Sequence, residues 1–397
     1  MSFILNINQK TYNFNNELNQ LFRPTSKFGI EKVDYIETDL LSSNKFDQIL
    51  IQEIIGLLKI QNYARLSINI DKFKPNSLDY LRSNFNKKYL NLYLIKKNQK
   101  INSQNLKKFN ENKILDNYDL VIKKKNSLKE ILGDPDKWTF GIVTNGSRDK
   151  ELKEILNSIK KLNISFIDII ICGKTNLNLD KNINYIKFTQ KDELGWITKK
   201  KNLIVKNSKY DNIVIIHDRI IFNKNFLKGF KKWGNYFFHI TIQQKYKKKR
   251  VHDWVVNAKY KKNDLSFLSL LDYRDWDPNV VISGQIHIGK KYVFQKIKWN
   301  NALFWGHSED VELSDRIHKY GFLNRFNPFS SSNVLFTRFD YLPIIKFDKN
   351  KLSKIQFGSF IIIFGRKIYK IMHKYKYLSK LSLKIYELIN SKTNIFK

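Results

Sequence analysis

Asn212-Ile213-Val214-Ile215-Ile216 runs straight into His217-Asp218-Arg219, and the fold class follows from that stretch. A short apolar run that stops at charged residues reads as a buried strand whose end marks the edge of a site. Upstream, residues 138–143 form a second strand that stops at Thr144-Asn145-Gly146. Residues 150–162 follow as a helix with Leu152, Ile155, Leu156 and Ile159 on one face, then 167–172 as a strand ending at Gly173, then 195–208 as a helix. Strands alternating with helices predict an α/β class with a mainly parallel sheet and ligands bound beyond the strand C-termini. The tips 144–146, 173–174 and 217–219 are therefore expected to face one cleft.

The chain has 397 residues, room for two to three domains at ~150 residues each. With 42% hydrophobic and 14% aromatic residues but only 15 Gly and 6 Pro, it is neither disordered nor collagen-like. Cys172, the one cysteine, excludes an intrachain disulfide and a cysteine-rich zinc site, and fits a reducing, cytoplasmic setting. The formal net charge is +36, but the excess is mostly Lys scattered through an Asn- and Ile-rich chain. That pattern reads as a compositional bias of the surface. Nucleic-acid binding would need basic residues interleaved with aromatics on one face, or a reading helix; neither motif is seen, so no specific nucleic-acid partner is expected. Residues 1–10 lack the basic-then-apolar pattern of a signal peptide, and no apolar run approaches the ~18 residues of a bilayer span.

Three regions separate by pattern. Residues 1–130 read as a small α/β unit, with strands at 32–36, 64–70, 90–95 and 118–122 and a helix at 46–60. Within it Asp39-Leu40-Leu41, followed by Lys45-Phe46-Asp47-Gln48-Ile49-Leu50, resembles the second half of a class I methyltransferase fold, where a strand carries the Phe-Asp pair into a helix. The glycine-rich loop of that family is absent, so no methyl-donor site is expected. Residues 126–137 form a polar linker, and 138–345 carry the alternating pattern described above. Residues 351–397 interleave Lys with Ile361, Phe364, Ile368, Ile371 and Met372 at helical spacing. Such a basic amphipathic tail suits the headgroup layer of an anionic membrane, and equally a helical hairpin packed on the protein.

The segment Phe304-Trp305-Gly306-His307-Ser308-Glu309-Asp310-Val311-Glu312-Leu313-Ser314-Asp315-Arg316-Ile317-His318-Lys319-Tyr320-Gly321 carries the chemistry. Leu313, Ile317 and Tyr320 share a helical face and Gly321 stands where a C-terminal cap belongs, so a helix is predicted from about Ser308 to Tyr320. A glycine-hinged loop leading into it can present Glu309 and Asp310 at the mouth of the sheet. The order Trp-Gly-x-x-Glu-Asp-Val-x-Leu-Ser-x-Arg-Ile resembles the acceptor-side motif of GT-A fold glycosyltransferases, family 2-like, with a likeness to the β-1,4-galactosyltransferases. Lys200-Lys201-Asn202 is similar to the start of that family's donor-binding helix, and His217, 15 residues after Asn202, falls where its Asp-x-Asp begins. Ser283-Gly284-Gln285-Ile286-His287-Ile288 resembles its acceptor-side Gly-Gly strand.

The resemblance implies a Rossmann-like mixed sheet and inverting transfer of a sugar from a nucleotide-sugar donor to a hydroxyl of a glycan or lipid-linked acceptor. Asp310 would be the general base and Glu309 would help hold the acceptor. The donor would lie on Thr144, Asn145, Gly146, Gly173, Lys201, Asn202, His217, Asp218 and Arg219, and the acceptor near Gly284, Trp305, Gly306, Trp254 and Asp253. Here His217-Asp218-Arg219 replaces Asp-x-Asp. Either a divalent cation, Mn²⁺ or Mg²⁺, is held by Asp218 and His217 with His307, or Arg219 itself neutralises the pyrophosphate. Trp254 and Trp276, each beside carboxylates, read equally as sugar-stacking faces and as core anchors. The densest basic cluster, 245–250, reads first as a solvated loop, with contact to phosphate on a donor, a lipid-linked acceptor or a membrane as the alternative. Polysaccharide biosynthesis in the cytoplasm is the expected setting, peripheral on the inner membrane face where the tail takes its membrane reading.

Overall fold

A computed structural model describes residues 3–7, 10–14, 18–39, 45–67, 75–110, 117–260, 265–336 and 344–345. The tail at 351–397 lies outside the described residues. The first strands are β1 (Phe3–Ile7), β2 (Lys10–Phe14), β3 (Val33–Asp39), β4 (Leu58–Ser67), β5 (Leu90–Lys96), β6 (Lys107–Lys108) and β7 (Tyr118–Lys124). Next come β8 (Lys137–Val143), β9 (Phe166–Gly173), β10 (Ile183–Lys187), β11 (Asn212–His217), β12 (Ile220–Phe222), β13 (His239–Tyr246) and β14 (Lys249–Arg250). The last are β15 (Val255–Tyr260), β16 (Leu265–Leu271), β17 (Val280–Val281), β18 (Ile286–Lys290), β19 (Asn324–Val334) and β20 (Ile344–Ile345).

Among the described residues these build three sheets. The amino-terminal sheet has seven strands in the order β2-β1-β3-β4-β7-β5-β6. The central sheet has nine, in the order β10-β9-β8-β11-β18-β13-β19-β12 with β14 on β13, and a four-stranded sheet runs β17-β15-β16-β20. In the central sheet β10, β9, β8 and β11 are parallel, and β18 then runs antiparallel between β11 and β13. This is an α/β, Rossmann-like mixed sheet, as the resemblance implies.

The purity of β11 has a physical cause: both its faces are covered. Ile213 and Ile215 enter one core with Ile197, Ile204 and Val205 of the helix Ile197–Asn207, whereas Val214 and Ile216 enter the other with Leu152, Ile155 and Ile159 of the helix Asp149–Lys160. The amino-terminal region departs from expectation in several places: β1, β2 and the short helices Pro24–Phe28, Pro75–Leu81 and Asn84–Tyr89 have no counterpart in the sequence pattern, and β4 starts at Leu58 instead of 64. The helix Asp47–Leu57 stops three residues short of 60, and Leu58 turns extended to start β4. Every residue of that helix is buried, so its apolar pattern carries no period that would mark its end. Phe46 and Asp47 sit at the helix N-terminus, not in a strand.

This helix is tied to the central sheet by a buried ionic group. Glu53 Oε1 accepts from Arg23 NH1 at 2.8 Å and lies 3.7 Å from Arg325 NH1. Its Oε2 accepts from the Thr25 amide and hydroxyl at 3.0 and 2.6 Å. Tyr236 donates to the Gln52 carbonyl at 2.7 Å, closing the same joint.

Beneath the sheet His239 Nδ1 meets Asn324 Oδ1 at 2.8 Å and Nε2 meets His287 Nδ1 at 3.1 Å, the two rings stacked 10° apart. Burial pushes the His239 imidazole down to about 4; the Asn324 hydrogen bond opposes this and the Lys201 ammonium adds to it. The folded protein therefore keeps His239 neutral, while an unfolded histidine takes up a proton below about 6.5. Above that pH the group contributes no pH dependence; as pH falls from ~6.5 toward 4, stability falls by up to about 3 kcal/mol. Denaturant unfolding at pH 7 and pH 4.5 should show this loss, and His239→Gln should reduce its slope; an unchanged slope would remove His239 as its source.

Candidate functional site

The site lies where the parallel strands end. Thr144, just past β8, donates through Oγ1 to Asp218 Oδ2 at 2.9 Å and accepts from the Gly146 amide at 3.2 Å. Its amide donates to the Cys172 carbonyl at 3.1 Å, and at Gly173 a Cβ would lie 1.9 Å from the Thr144 carbonyl oxygen. At Gly146 a Cβ would stand 3.0 Å from Lys174. The structure thus brings the tips at Thr144 to Gly146, Gly173-Lys174 and Asp218 together.

Asp218 is buried, and its second oxygen, Oδ1, accepts from Arg148 NH1 at 2.7 Å. Arg148 precedes the helix Asp149–Lys160 and lies 4.3 Å from the Phe336 ring centroid; Arg219 lies 5.9 Å from the same ring. Lys200 donates to the Thr144 carbonyl at 2.8 Å and pairs with Asp192 at 2.5 Å. Beside them His217 Nε2 is buried without a hydrogen-bond partner among the described residues. Burial first, then the cations Lys201, Arg219, Arg148 and Lys200, hold the His217 imidazole well below its ordinary value.

The acceptor-side motif is linked to this edge through the sheet. The His217 amide donates to the Gln285 carbonyl at 3.1 Å, and the preceding residue, Gly284, donates its amide to Asp310 Oδ2 at 2.8 Å. Asp310 heads the helix Glu309–Tyr320, is only partly buried, and accepts the Val311 amide on Oδ1 at 2.9 Å. Burial and the neighbouring Glu309 raise its carboxyl, opposed by the Gly284 amide, Lys201 and the Val311 amide. The helix ends at Gly321 as expected, with the Phe322 amide returning to the Ile317 carbonyl at 3.1 Å in a Schellman-type close. Gly284 must be glycine for the two carboxylates to sit there: a Cβ would lie 2.7 Å from Glu309 Oε1 and 3.4 Å from Asp310 Oδ2.

Glu309 faces inward. It is 6% exposed and its Oε1 accepts from Lys201 Nζ at 3.2 Å, while Lys201, wholly buried, also donates to the Gly284 carbonyl at 3.1 Å. Lys201 therefore holds the carboxylate pair and does not project to a phosphate. Asn202 is likewise committed, donating to the Trp299 carbonyl at 2.8 Å and accepting the Trp299 amide at 3.0 Å. Trp305 and Gly306 are exposed on the loop before Asp310, with the Trp305 amide held by the Gly195 carbonyl at 2.9 Å. Asn145 is exposed at the tip.

Trp254 and Asp253 are not brought to this cleft as ligand groups. Trp254 is fully buried and donates Nε1 to the Asp275 carbonyl at 2.9 Å, and Trp276 is buried likewise on the Asn324 carbonyl at 3.0 Å. Asp253 is fully buried under Arg250 at 2.9 Å and the Tyr273 hydroxyl at 2.6 Å. Both indoles are core anchors because the polar tip of each finds a backbone oxygen inside the protein. The 245–250 cluster is a β-hairpin whose tip, Lys247 to Lys249, is exposed.

The residues here do not fit the divalent cation that the resemblance implies. Among the described residues no three His, Cys, Asp or Glu side chains are grouped to hold a metal. His307 accepts its own loop's Phe304 amide on Nδ1 at 3.3 Å, on an exposed turn. Both Asp218 oxygens are already taken, one by a guanidinium. A +2 ion on Asp218 would stand beside the Arg148 guanidinium, whose repulsion offsets much of the attraction of that single carboxylate, and a hard cation wants several oxygen ligands.

Neither a protein-family model nor a curated protein sequence matches the chain. Among solved structures it is similar to S. aureus TarS 1-349, at 13% identity and TM-score 0.35, over 58% of this chain and 65% of that one. It is similar to GalNAc-T7 with UDP, GalNAc and Mn²⁺, at 10% identity and TM-score 0.39, over 51% and 44% of the two chains. A third likeness is to the mannosyltransferase PcManGT from Pyrobaculum calidifontis in complex with GDP-Man and Mn²⁺, at 10% identity and TM-score 0.37, over 63% and 67%. The chain spans less than two thirds of the length of the TarS and GalNAc-T7 chains it matches.

Proposed function

We propose that the chain is an inverting glycosyltransferase that moves a sugar from a nucleotide-sugar donor to a hydroxyl of a glycan or lipid-linked acceptor. One observation carries the reading. The cationic end of β11 and the partly exposed carboxylate of Asp310 are joined through adjacent residues of one strand entry, Gln285 and Gly284. A displacement at an anomeric carbon needs both: cations where a diphosphate departs and a carboxylate where a hydroxyl loses its proton. In this reading the acceptor oxygen gives its proton to Asp310 as it bonds to the anomeric carbon. The bond from that carbon to the phosphate oxygen breaks on the opposite face, and the configuration inverts. Glu309, turned inward onto Lys201, is a positioning residue that fixes the helix start, not an acceptor contact.

A panel of nucleoside diphosphates and nucleotide sugars, read by calorimetry on the full chain, tests the proposal. Selective binding of one nucleotide, with release of its sugar to an acceptor or to water, is the expected result. Selective binding without any sugar transfer would leave a sugar- or nucleotide-binding module of the same fold. No binding by folded protein would overturn both readings. Action on a surface-polysaccharide acceptor at a membrane belongs to the same proposal; among the described residues no helix is long and apolar enough to cross a membrane.

A further inference from the structure

We infer that an arginine stands in for the divalent cation: Arg148, docked on Asp218 and stacked on Phe336 beside Arg219, forms a metal-independent cradle for the donor's diphosphate. The inference rests on the glycosyltransferase reading and adds to it the identity of the group that faces the leaving phosphates.

The geometry supports it at each point. Asp218, at the end of β11, is buried, and the guanidinium at 2.7 Å from Oδ1 occupies the side of the carboxylate where a cation would otherwise bind. The Thr144 hydroxyl at 2.9 Å holds the other oxygen, so the carboxylate is fixed in position and acts as an orienting anchor for the arginine. Arg148 engages Asp218 through NH1, and its side chain stays 37% exposed, leaving the rest of its planar fork of donors toward solvent. Such a fork matches two oxygens of a phosphate or pyrophosphate, which a lysine cannot do. Phe336 receives both Arg148, at 4.3 Å, and Arg219, at 5.9 Å, so two guanidinium groups share one aromatic ring at the strand ends. Lys200, on the Thr144 carbonyl at 2.8 Å, lies behind the tip and is paired with Asp192. Three cations against two carboxylates, Asp218 and Asp192, leave a positive balance at the strand ends that favours an arriving dianion.

The two ways of binding diphosphate predict opposite responses to the same substitutions. The probes are inorganic pyrophosphate, UDP and GDP, titrated into the full chain in EDTA and again with Mn²⁺. With an arginine cradle, affinity in EDTA equals that with Mn²⁺ within about twofold, and Arg148→Ala weakens binding at least about tenfold. Arg148→Lys, which keeps the charge and loses the fork, recovers only part of that loss. Asp218→Asn, which keeps an oxygen for Arg148 but removes a negative charge beside the ligand, leaves binding in EDTA within about threefold of the parent. With a metal site, binding would require Mn²⁺ and vanish in Asp218→Asn, and Arg148→Ala would preserve or improve it by freeing the carboxylate. That second set of results overturns the cradle but leaves the glycosyltransferase reading standing. Absence of binding in both conditions, by protein with unchanged circular dichroism, overturns the two together.

Discussion

If the chain is the proposed glycosyltransferase, replacing Asp310 with Asn should lower sugar transfer by about 10²–10⁴-fold while nucleotide affinity stays within about threefold of the parent chain, the loss expected for a missing general base. The cause is local. Of the adjacent pair, Asp310 remains partly exposed while Glu309 is buried and pinned to Lys201, and Glu312 one turn on is paired with Arg316. Burial and Glu309 lift its carboxyl above the ordinary value, which makes the carboxylate a better proton acceptor at neutral pH. The asparagine keeps an oxygen for the Val311 amide but presents an NH₂ group to the Gly284 amide, so part of the cost falls on local geometry. Thermal unfolding of the variant separates the contributions: a shift of a few degrees is compatible with the assignment. Turnover within tenfold of the parent would remove Asp310 as the base.

Replacing Glu53 with Gln should destabilise the folded protein by about 3–5 kcal/mol, because it strips the counter-charge from buried guanidinium groups. Arg23 and Arg325 both face Glu53, at 2.8 and 3.7 Å, and both stack near Trp233 with centroid distances of 4.6 and 5.4 Å. Burial, with Arg23 adding to it, brings the Arg325 guanidinium down to about 9, and the Glu53 carboxylate opposes that shift. The amide also loses one acceptor that the Thr25 amide and hydroxyl share. Urea unfolding followed by tryptophan fluorescence measures the change. A loss below about 1 kcal/mol would mean that water or rearranged side chains already screen the arginines, as at exposed pairs.

Much of the central region was legible because its pattern has one reading. β8, β9 and β11 are short apolar runs ended by polar tips, and the helices between them repeat at helical spacing, so class and strand ends both follow. The Glu309–Tyr320 helix was equally plain, with Gly321 as its stop. The amino-terminal helix was harder: its apolar residues surround the axis, and nothing in their spacing separates Leu57 from Leu58. Arg148 was missed at the site. A signal was present, since only 11 of the chain's 72 basic residues are Arg, and an arginine four residues past a strand tip in a lysine-rich chain is a choice.

What the sequence determined by itself was the α/β class, the strand ends at the proposed site, and Asp310 in the first turn of a helix, because each depends on local spacing and on residues near in the chain. Which groups face a ligand was decided only by tertiary structure. Lys201 turns inward to Glu309 across 108 positions, and Asp218 takes Arg148 across 70, so a lysine expected at phosphate became a buried counter-ion and a carboxylate expected at a metal became an arginine's anchor. Trp254, open in the chain to a sugar face or a core anchor, and Asp253, placed near the acceptor, are core residues with Asp275, Arg250 and Tyr273 closed over them. A charge or an indole in a sequence has no partner until the fold supplies one, and burial then fixes which groups must be paired inside and which remain for a ligand.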